Sequence, residues 1–428
     1  MALFPPLFAA IPDPRQANKV FYPQAALFFA GILSFVCRLG ARRQITYLLR
    51  NTSSRALFRT LFGVDAFPHG DTVEGFFQRV EPDLAQEVVS SLTERLIRQK
   101  ILSPFRFLGH YYVVAIDGTG MLSFPKRHCP HCLTRKNKGK IQYYHPVLEA
   151  KILLPNGFAF SLMTEFIENP EETPDKQDCE LKAFYRLADR LKKRFPRLPI
   201  CLSLDGLYAG GPTFALCERY HWKYMIVLQD DSLPSVNREF SRLSPLTLGN
   251  TASERSGPKL SIQRHFEWVN DILYADTQNR EHVLSVLECR ETKPDRNREI
   301  KTTTFRWVTN LSVTEKNVRE LHSYGGRIRW KIENEGFNVQ KNGGFGLEHA
   351  YSRHPTASKI YYLLLQIAHL FIQLLEKSSL LRKAFPKGFG SVKNLSFRIL
   401  EAWRNVWFPP GAIELLSTRR IQIRFDSS

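Results

Sequence analysis

The chain has 428 residues, of which 43% are hydrophobic and 24% charged. This composition excludes global disorder and leaves room for two or three domains. The formal net charge of +19 predicts a polyanionic partner, most plausibly nucleic acid. The apolar runs 25–36 and 360–375 are too short or too interrupted to cross a bilayer, so no membrane partner is expected. Seven scattered cysteines and the absence of a signal-peptide pattern favour a reducing, cytoplasmic location.

Residues 1–108 carry apolar side chains at helical spacing. One such series runs through Leu84, Val88, Leu92 and Leu96. A basic, all-helical region ahead of a catalytic core often binds DNA, while a helical packing region fits the pattern equally well. We interpret 1–108 as a helical region with DNA binding as its candidate role.

Between residues 109 and 228 the pattern alternates between strands and helices. We predict a strand at 111–116, a basic loop at 124–144, a hairpin at 145–166, a helix at 176–195, a strand at 199–204, a helix at 212–220 and a strand at 224–228. The Asn156-Gly157 pair supplies the hairpin turn. This order predicts an α/β fold with a mixed sheet flanked by helices.

The rest of the chain is predicted to interrupt this core and then complete it. Residues 229–301 hold short extended pieces among many polar residues, which indicates a β-rich insertion. Within 302–350 we predict a strand, a helix that opens at a capping box on Ser312 and is interrupted at Gly325-Gly326, and a further helix. Residues 351–428 are predicted to be helical and basic.

Two aspartates stand at the ends of predicted apolar strands. Asp117 and Asp205 each follow such a strand and each precede a glycine. Groups at the carboxyl ends of neighbouring strands converge on one crevice of an open sheet. Two carboxylates there need a neutralising cation, and hard oxygen ligands select Mg²⁺ or Mn²⁺. An ordinary Asp-Gly turn at each position is the structural alternative.

A third carboxylate is expected from the helix predicted near residue 330. Arg329 and Glu333 are i,i+4 neighbours if this stretch is helical, so the arginine can hold the carboxylate or a phosphate. Glu335 competes for the same role. A weak surface salt bridge is the alternative to a functional pair.

The chain resembles the DDE transposases of bacterial insertion sequences, and among them the insertion-sequence-four-like subgroup. The resemblance covers residues from about 110 to 350, over half of the chain. Its most specific part is 330–338 together with 341–342 and 347–349. The other stretches that carry it are 116–119, 128–132, 143–145, 176–180 and 205–208.

The resemblance implies an RNase H-like catalytic core in which Asp117, Asp205 and Glu333 form the catalytic triad and Arg329 assists them. It implies divided core segments at 109–228 and 302–350. The implied cofactor is a pair of Mg²⁺ or Mn²⁺ ions bound by the triad, and the implied reaction is phosphoryl transfer on DNA. The implied partners are double-stranded DNA, as terminal inverted repeats and as target, and further copies of the chain. A bacterial, nucleoid-associated location follows.

The family's signature around the last carboxylate is Tyr-x2-Arg-x3-Glu-x6-Lys. Arg329 and Glu333 fit it. Tyr324 has four residues between it and Arg329 instead of two, and Lys341 has seven after Glu333 instead of six. Of the signature residues other than Glu333, Arg329 is therefore the one whose role the resemblance supports best.

A cysteine pair offers half of a zinc site. Cys129 and Cys132 have the spacing of such a pair, and His128, His131, His145 and Cys179 are candidates to complete it. We expect Cys129, Cys132, His145 and Cys179 as the candidate zinc ligands. A turn flanked by DNA-contacting lysines and arginines is the alternative.

Two aromatic residues near the triad have two candidate roles. Trp330 and Phe337 either stack on a DNA base or pack in the core, and the sequence favours packing for each.

Two other functions stay open for the whole chain: an RNase H-like nuclease without strand transfer, and a domesticated, non-catalytic DNA-binding protein.

Overall fold

The computed structural model describes residues 4–170, 177–247, 249–295, 297–381, 384–407, 409, 411–412 and 423–425. Lys176, at the predicted start of a helix, and most of the basic tail beyond 412 lie outside the described residues. The α-helices are α1 (Phe4–Ala9), α2 (Gln24–Val36), α3 (Gln44–Leu48), α4 (Thr52–Phe62), α5 (Gly70–Phe77), α6 (Pro82–Arg98), α7 (Glu180–Arg194), α8 (Gly211–Tyr220), α9 (Pro234–Leu243), α10 (Val318–Glu320), α11 (Val339–Asn342), α12 (Pro355–Lys377) and α13 (Val392–Asn405).

The strands form one ten-stranded mixed sheet. They are β1 (Tyr112–Phe124), β2 (Leu133–Asn137), β3 (Lys140–Leu153), β4 (Ala159–Phe166), β5 (Ile200–Leu204), β6 (Lys223–Val227), β7 (Thr251–Ser256), β8 (Ile262–Ala275), β9 (Glu281–Pro294) and β10 (Ile300–Thr309). Their order is β2-β3-β1-β5-β6-β10-β9-β8-β7, and β4 also pairs with β3. β1, β5 and β6 run parallel, and the other pairs are antiparallel. The predicted α/β fold with a mixed sheet flanked by helices is confirmed.

The structure extends two of the predicted core elements. β1 continues to Phe124, beyond the predicted end of the strand at residue 116. Asp117 and Gly118 therefore lie within the strand and do not form a turn after it. The predicted basic loop is largely a hairpin in which β2 pairs with the first part of β3. Lys138 and Gly139 at its tip both have positive φ, as a tight two-residue hairpin turn requires. We call residues 133–144 the basic ribbon.

The region predicted as a β-rich insertion does not form a sheet of its own. β7, β8 and β9 continue the core sheet through β10, which pairs with β6 on one side and β9 on the other. The region also contains a helix, α9. The insertion therefore lengthens the sheet beyond the strands that carry the aspartates.

Both faces of the sheet are buried at its centre, and β1 shows how. Val113 and Ala115 belong to one hydrophobic cluster, which also contains side chains of α2 and α12. Tyr112, Val114 and Ile116 belong to a second cluster, which contains side chains of α7 and α8. This alternation explains why the strand reads as a continuous apolar run.

The N-terminal helices are part of the core. α6 covers the free edge of β4: the Ser90 hydroxyl donates to the Leu162 carbonyl at 2.7 Å, and the Thr164 N–H donates to Gln86 Oε1 at 2.9 Å. α2 and α6 both pack on α12. An unpaired edge is thereby satisfied by side chains of the region 1–108.

α12 is long and apolar enough to cross a membrane by length and composition, and 83% of its most apolar window is buried inside the protein. Gln366, His369 and Gln373 are among its buried side chains. This burial is typical of a core helix, as its polar interruptions predict.

One helical path, residues 318–342, carries Arg329 and Glu333. It starts at Val318, after Asn317, and not at the predicted capping box on Ser312. The path continues through Gly325-Gly326, where an interruption was predicted, by π-helical turns at Leu321–Gly326 and Ile332–Asn338 around a 3₁₀ turn at Arg327–Arg329. The two glycines let the helix lie against the sheet, because a Cβ on Gly326 would stand 2.5 Å from the Trp307 ring.

Candidate active site

Neighbouring parallel strands place the two aspartates. β1 pairs with β5 in parallel up to Ala115 opposite Ser203. Asp117 follows two residues later on β1, and Asp205 directly follows β5, where its carboxylate accepts a hydrogen bond from the Leu207 N–H at 3.3 Å. The two carboxylates therefore lie together just beyond the parallel pairing of β1 and β5.

All three predicted carboxylates contact Arg329. Its guanidinium lies 3.2 Å from Asp117 Oδ2, 3.6 Å from Asp205 Oδ2 and 3.5 Å from Glu333 Oε1. The Arg329 side chain is 12% exposed, whereas those of Asp205 and Glu333 are 43% and 56% exposed. The arginine thus neutralises an acidic group that remains accessible from solvent. We call these four residues the acidic site.

Asp117 is the most buried carboxylate of the acidic site. Burial raises its pKa to about 6, the positive charge of Arg329 opposes this rise, and the negative charge of Glu333 adds to it. Its Oδ1 accepts a hydrogen bond from the Gly118 N–H at 2.9 Å. Crowded acidic groups of this kind favour a bound cation over a proton when a cation is offered.

A fourth carboxylate, which we did not predict as a site residue, stands beside Asp117. Glu180 opens α7, and a Cβ on Gly118 would lie 2.6 Å from its Oε2, so any side chain there would displace this carboxylate. The buried Tyr208 hydroxyl donates to Glu180 Oε1 at 2.7 Å. The charge of Glu180 also raises the pKa of Asp117. Its position within the motif at 176–180 was the available sequence signal.

The competing carboxylate and the two displaced signature residues lie elsewhere. Glu335 Oε2 is 3.3 Å from Lys377 Nζ, which holds it toward α12 and away from Arg329. Lys341 Nζ pairs with Glu348 at 2.8 Å. Tyr324 is 45% exposed. Of the two candidates, Glu333 is the one that the structure brings to the aspartates.

Trp330 and Phe337 have different environments. Phe337 is buried in the core, as the sequence favoured. Trp330 is 54% exposed on the residue after Arg329, contrary to the packing role that was favoured. The guanidinium of Arg327 lies 5.2 Å from the Trp330 ring and 4.0 Å from that of Phe305, so the three side chains form one partly exposed cluster.

A separate His/Cys cluster forms next to the basic ribbon. Its members are His128, Cys129, Cys132 and His145, whose ligand atoms all lie within 4.8 Å of one another, so the group could hold a metal ion. Cys179, expected as a ligand, is instead exposed at the start of α7, and His128 takes the fourth place. The sequence offered both residues as candidates, and only the position of α7 separates them.

The basic ribbon exposes several cations to solvent. Lys136, Lys138 and Lys140 are exposed at or beside its tip. Arg135 lies over the Tyr144 ring at 4.7 Å and donates to Gln142 at 2.8 Å. The ribbon continues β3 beyond its pairing with β1, in which Asp117 lies opposite Glu149 and Phe124 lies opposite Tyr143.

Chemically, the acidic site can hold hard divalent cations, and the exposed cations can bind a polyanion. No protein-family model and no curated protein matches this chain. The geometry of these side chains therefore carries the functional argument.

Proposed function

We propose that this protein is a DDE-type DNA transposase, which binds the ends of its insertion sequence and catalyses metal-dependent cleavage and strand transfer. One observation carries the proposal: Asp117, Asp205 and Glu333, from distant parts of the sequence, all contact one guanidinium. They stand on the elements that the resemblance to DDE transposases assigns them, namely two parallel strands and a helix that follows the insertion.

The donor set fits Mg²⁺ or Mn²⁺, because its oxygen ligands are hard and anionic. Asp117, Asp205 and Glu333 would hold these ions. Bound there, such ions activate water or a DNA 3′-hydroxyl for in-line attack and stabilise the leaving oxygen. Arg329 contributes a fork of N–H donors that suits a phosphate as well as a carboxylate. The soft His/Cys cluster suits zinc instead, as a structural ion.

The charge of the protein and one exposed aromatic side chain support a DNA substrate. The net charge of +19 and the exposed lysines of the basic ribbon provide neutralisation for phosphates. The exposed Trp330 offers a stacking surface for a base that leaves the duplex. In this proposal the region 1–108 recognises the element's ends, two or more copies assemble on paired ends, and the protein works at the bacterial nucleoid.

Single substitutions of the triad test the proposal. The DNA that flanks the gene is inspected for terminal inverted repeats, and a duplex with such an end is incubated with a target plasmid and Mg²⁺. We expect nicked and joined products from the parent protein. Asp117→Asn, Asp205→Asn and Glu333→Gln should each lower product formation by on the order of a thousandfold. Binding of the labelled end, measured by gel shift, should persist.

Glu335→Gln is the matched control, because Glu335 lies two residues away and pairs with Lys377. This variant should keep activity. Cleavage without any joined product would favour the nuclease alternative. Full biological activity of the two aspartate variants would refute the enzyme and favour a non-catalytic DNA-binding protein.

A further inference from the structure

We propose that His128, Cys129, Cys132 and His145 bind one structural zinc ion, which fixes the root of the basic ribbon. The four residues come from two separated pieces of chain. His128, Cys129 and Cys132 lie in the connection between β1 and β2, and His145 lies on β3 opposite Leu122 of β1. A bound ion would thus tie this connection to the sheet.

The distances within the cluster match the edges of a zinc tetrahedron. Zinc–sulfur bonds near 2.3 Å and zinc–nitrogen bonds near 2.0–2.1 Å place neighbouring ligand atoms roughly 3.6–3.8 Å apart. The two sulfurs are 3.5 Å apart. The Nε2 atom of His145 is 3.4 Å from Cys129 Sγ and 3.2 Å from Cys132 Sγ. His128 Nδ1 is 3.3 Å from Cys132 Sγ. All four ligand atoms lie within 4.8 Å of one another, close enough to share one ion.

The residues around the ligands are held in place. Cys132 and His145 are buried. The Phe124 ring lies against that of His128, with 4.1 Å between centroids. Asn169 donates to the Cys132 carbonyl at 3.0 Å, and Gln177 accepts from the Thr134 N–H at 2.6 Å. The ligands are therefore fixed on both sides before an ion binds, as expected of a structural site.

Metal analysis of the full-length protein tests the site. The protein is purified without added metal or chelator, and its metal content is measured by mass spectrometry. We expect about one zinc per chain. Replacement with Co²⁺ should give the strong visible absorption of a tetrahedral ion together with a thiolate-to-cobalt band. Less than about a tenth of an equivalent of zinc, with no uptake on adding Zn²⁺, would overturn the proposal. A Cys129–Cys132 disulfide in the fresh protein would also overturn it.

Substitutions identify the ligands. Cys129→Ser and Cys132→Ser should each lower the zinc content at least several-fold, while Cys179→Ser, the exposed cysteine outside the cluster, should keep it. Equal loss in Cys179→Ser would overturn the assignment. Limited trypsin digestion reports the role: chelation of the parent protein should accelerate cleavage at Lys136, Lys138 and Lys140. Unchanged cleavage after zinc loss would refute the bracing role. None of these measurements uses DNA, so they stand apart from the transposase proposal.

Discussion

At the scale of single residues, Arg329 supplies the positive charge that lets three carboxylates lie close together. Three carboxylates at this separation repel one another, and one guanidinium within 3.2–3.6 Å of each relieves that repulsion. The arginine therefore contributes to folding as well as to the proposed chemistry. Any divalent ion held by the same carboxylates would share them with Arg329.

Arg329→Ala tests this neutralising role. The variant should be less stable than the parent protein by about 1–2 kcal/mol in EDTA, because three carboxylates lose their partner. Mg²⁺ should then raise its melting temperature more than it raises that of the parent, since ion binding to the folded state supplies the missing charge. A fluorescence-monitored melt over a magnesium series measures both effects.

Arg319→Ala is the control, since Arg319 lies near the start of the same helical path and its nearest acidic partner, Glu254, is 3.8 Å away. Its response to magnesium should equal that of the parent. An equal response in Arg329→Ala would contradict the neutralising role.

The sequence predicted the residues of the acidic site better than their surroundings. The sequence could identify Asp117, Asp205 and Glu333, because strand ends and an i,i+4 pair are local patterns. Glu180 and His128 were not assigned their places, because each depends on where a whole element lies. Glu180 lies near Asp117 because α7 starts there, and His128 lies near the cysteines because of the fold of the β1–β2 connection.

At the scale of secondary structure, the helical path 318–342 departs from regular α-helix where it carries the site. π-Helical turns are rare and often mark functional positions. The π turn at Ile332–Asn338 contains Glu333, so this carboxylate stands on a locally widened helix. We predicted that Gly325 and Gly326 would interrupt the helix. The prediction was wrong because their close packing on β10 and β6 is a tertiary feature that the sequence does not show.

Gly326→Ala tests that packing. The added methyl group would meet the Trp307 ring and push the helix outward, which should destabilise the protein by about 1–3 kcal/mol. The proposed activity should fall as well, because Arg329 and Glu333 move with the helix. Urea denaturation gives the stability change.

Gly75→Ala serves as the matched control. Gly75 lies within α5 and a Cβ there would have nothing within 4 Å, so alanine should be neutral or stabilise by up to about 1 kcal/mol. Equal stability changes at both positions would show that Trp307 does not limit the approach of the helix.

The basic ribbon shows why one hairpin was missed. Strand prediction relies on alternation between a buried and an exposed face, and most of this ribbon is exposed on both. Residues Tyr112 to Ile116, by contrast, are buried on both faces, so β1 was recognisable as a continuous apolar run, and only its extension past Asp117 was not foreseen.

At the scale of the whole molecule, segments distant in sequence share one core. Gly31 of α2 allows close contact with Leu364 of α12, and Phe77 of α5 meets Tyr361 edge-on with 5.2 Å between ring centroids. The Ser352 hydroxyl donates to Glu74 at 2.5 Å. The boundary predicted near residue 108 is thus a change of secondary structure, and apolar contacts cross it.

Removal of residues 1–108 should therefore prevent independent folding. The remaining chain would expose the apolar surface of α12 and the free edge of β4, so we expect aggregation in size-exclusion chromatography and loss of the near-ultraviolet dichroism of the packed core. Co-expression of the separate 1–108 fragment should restore a soluble complex. A monomeric, native-like 109–428 fragment would contradict this prediction.

The separation of Asp205 from Glu333 by five strands of the same sheet has a consequence for synthesis. A ribosome delivers both aspartates well before β7 to β10 and the helix that bears the glutamate. Polypeptides from broken messages or premature stops would hold only part of the acidic site. Under the proposed function, such unfinished products would be unable to cut DNA, and only a nearly full-length translation product could damage the genome.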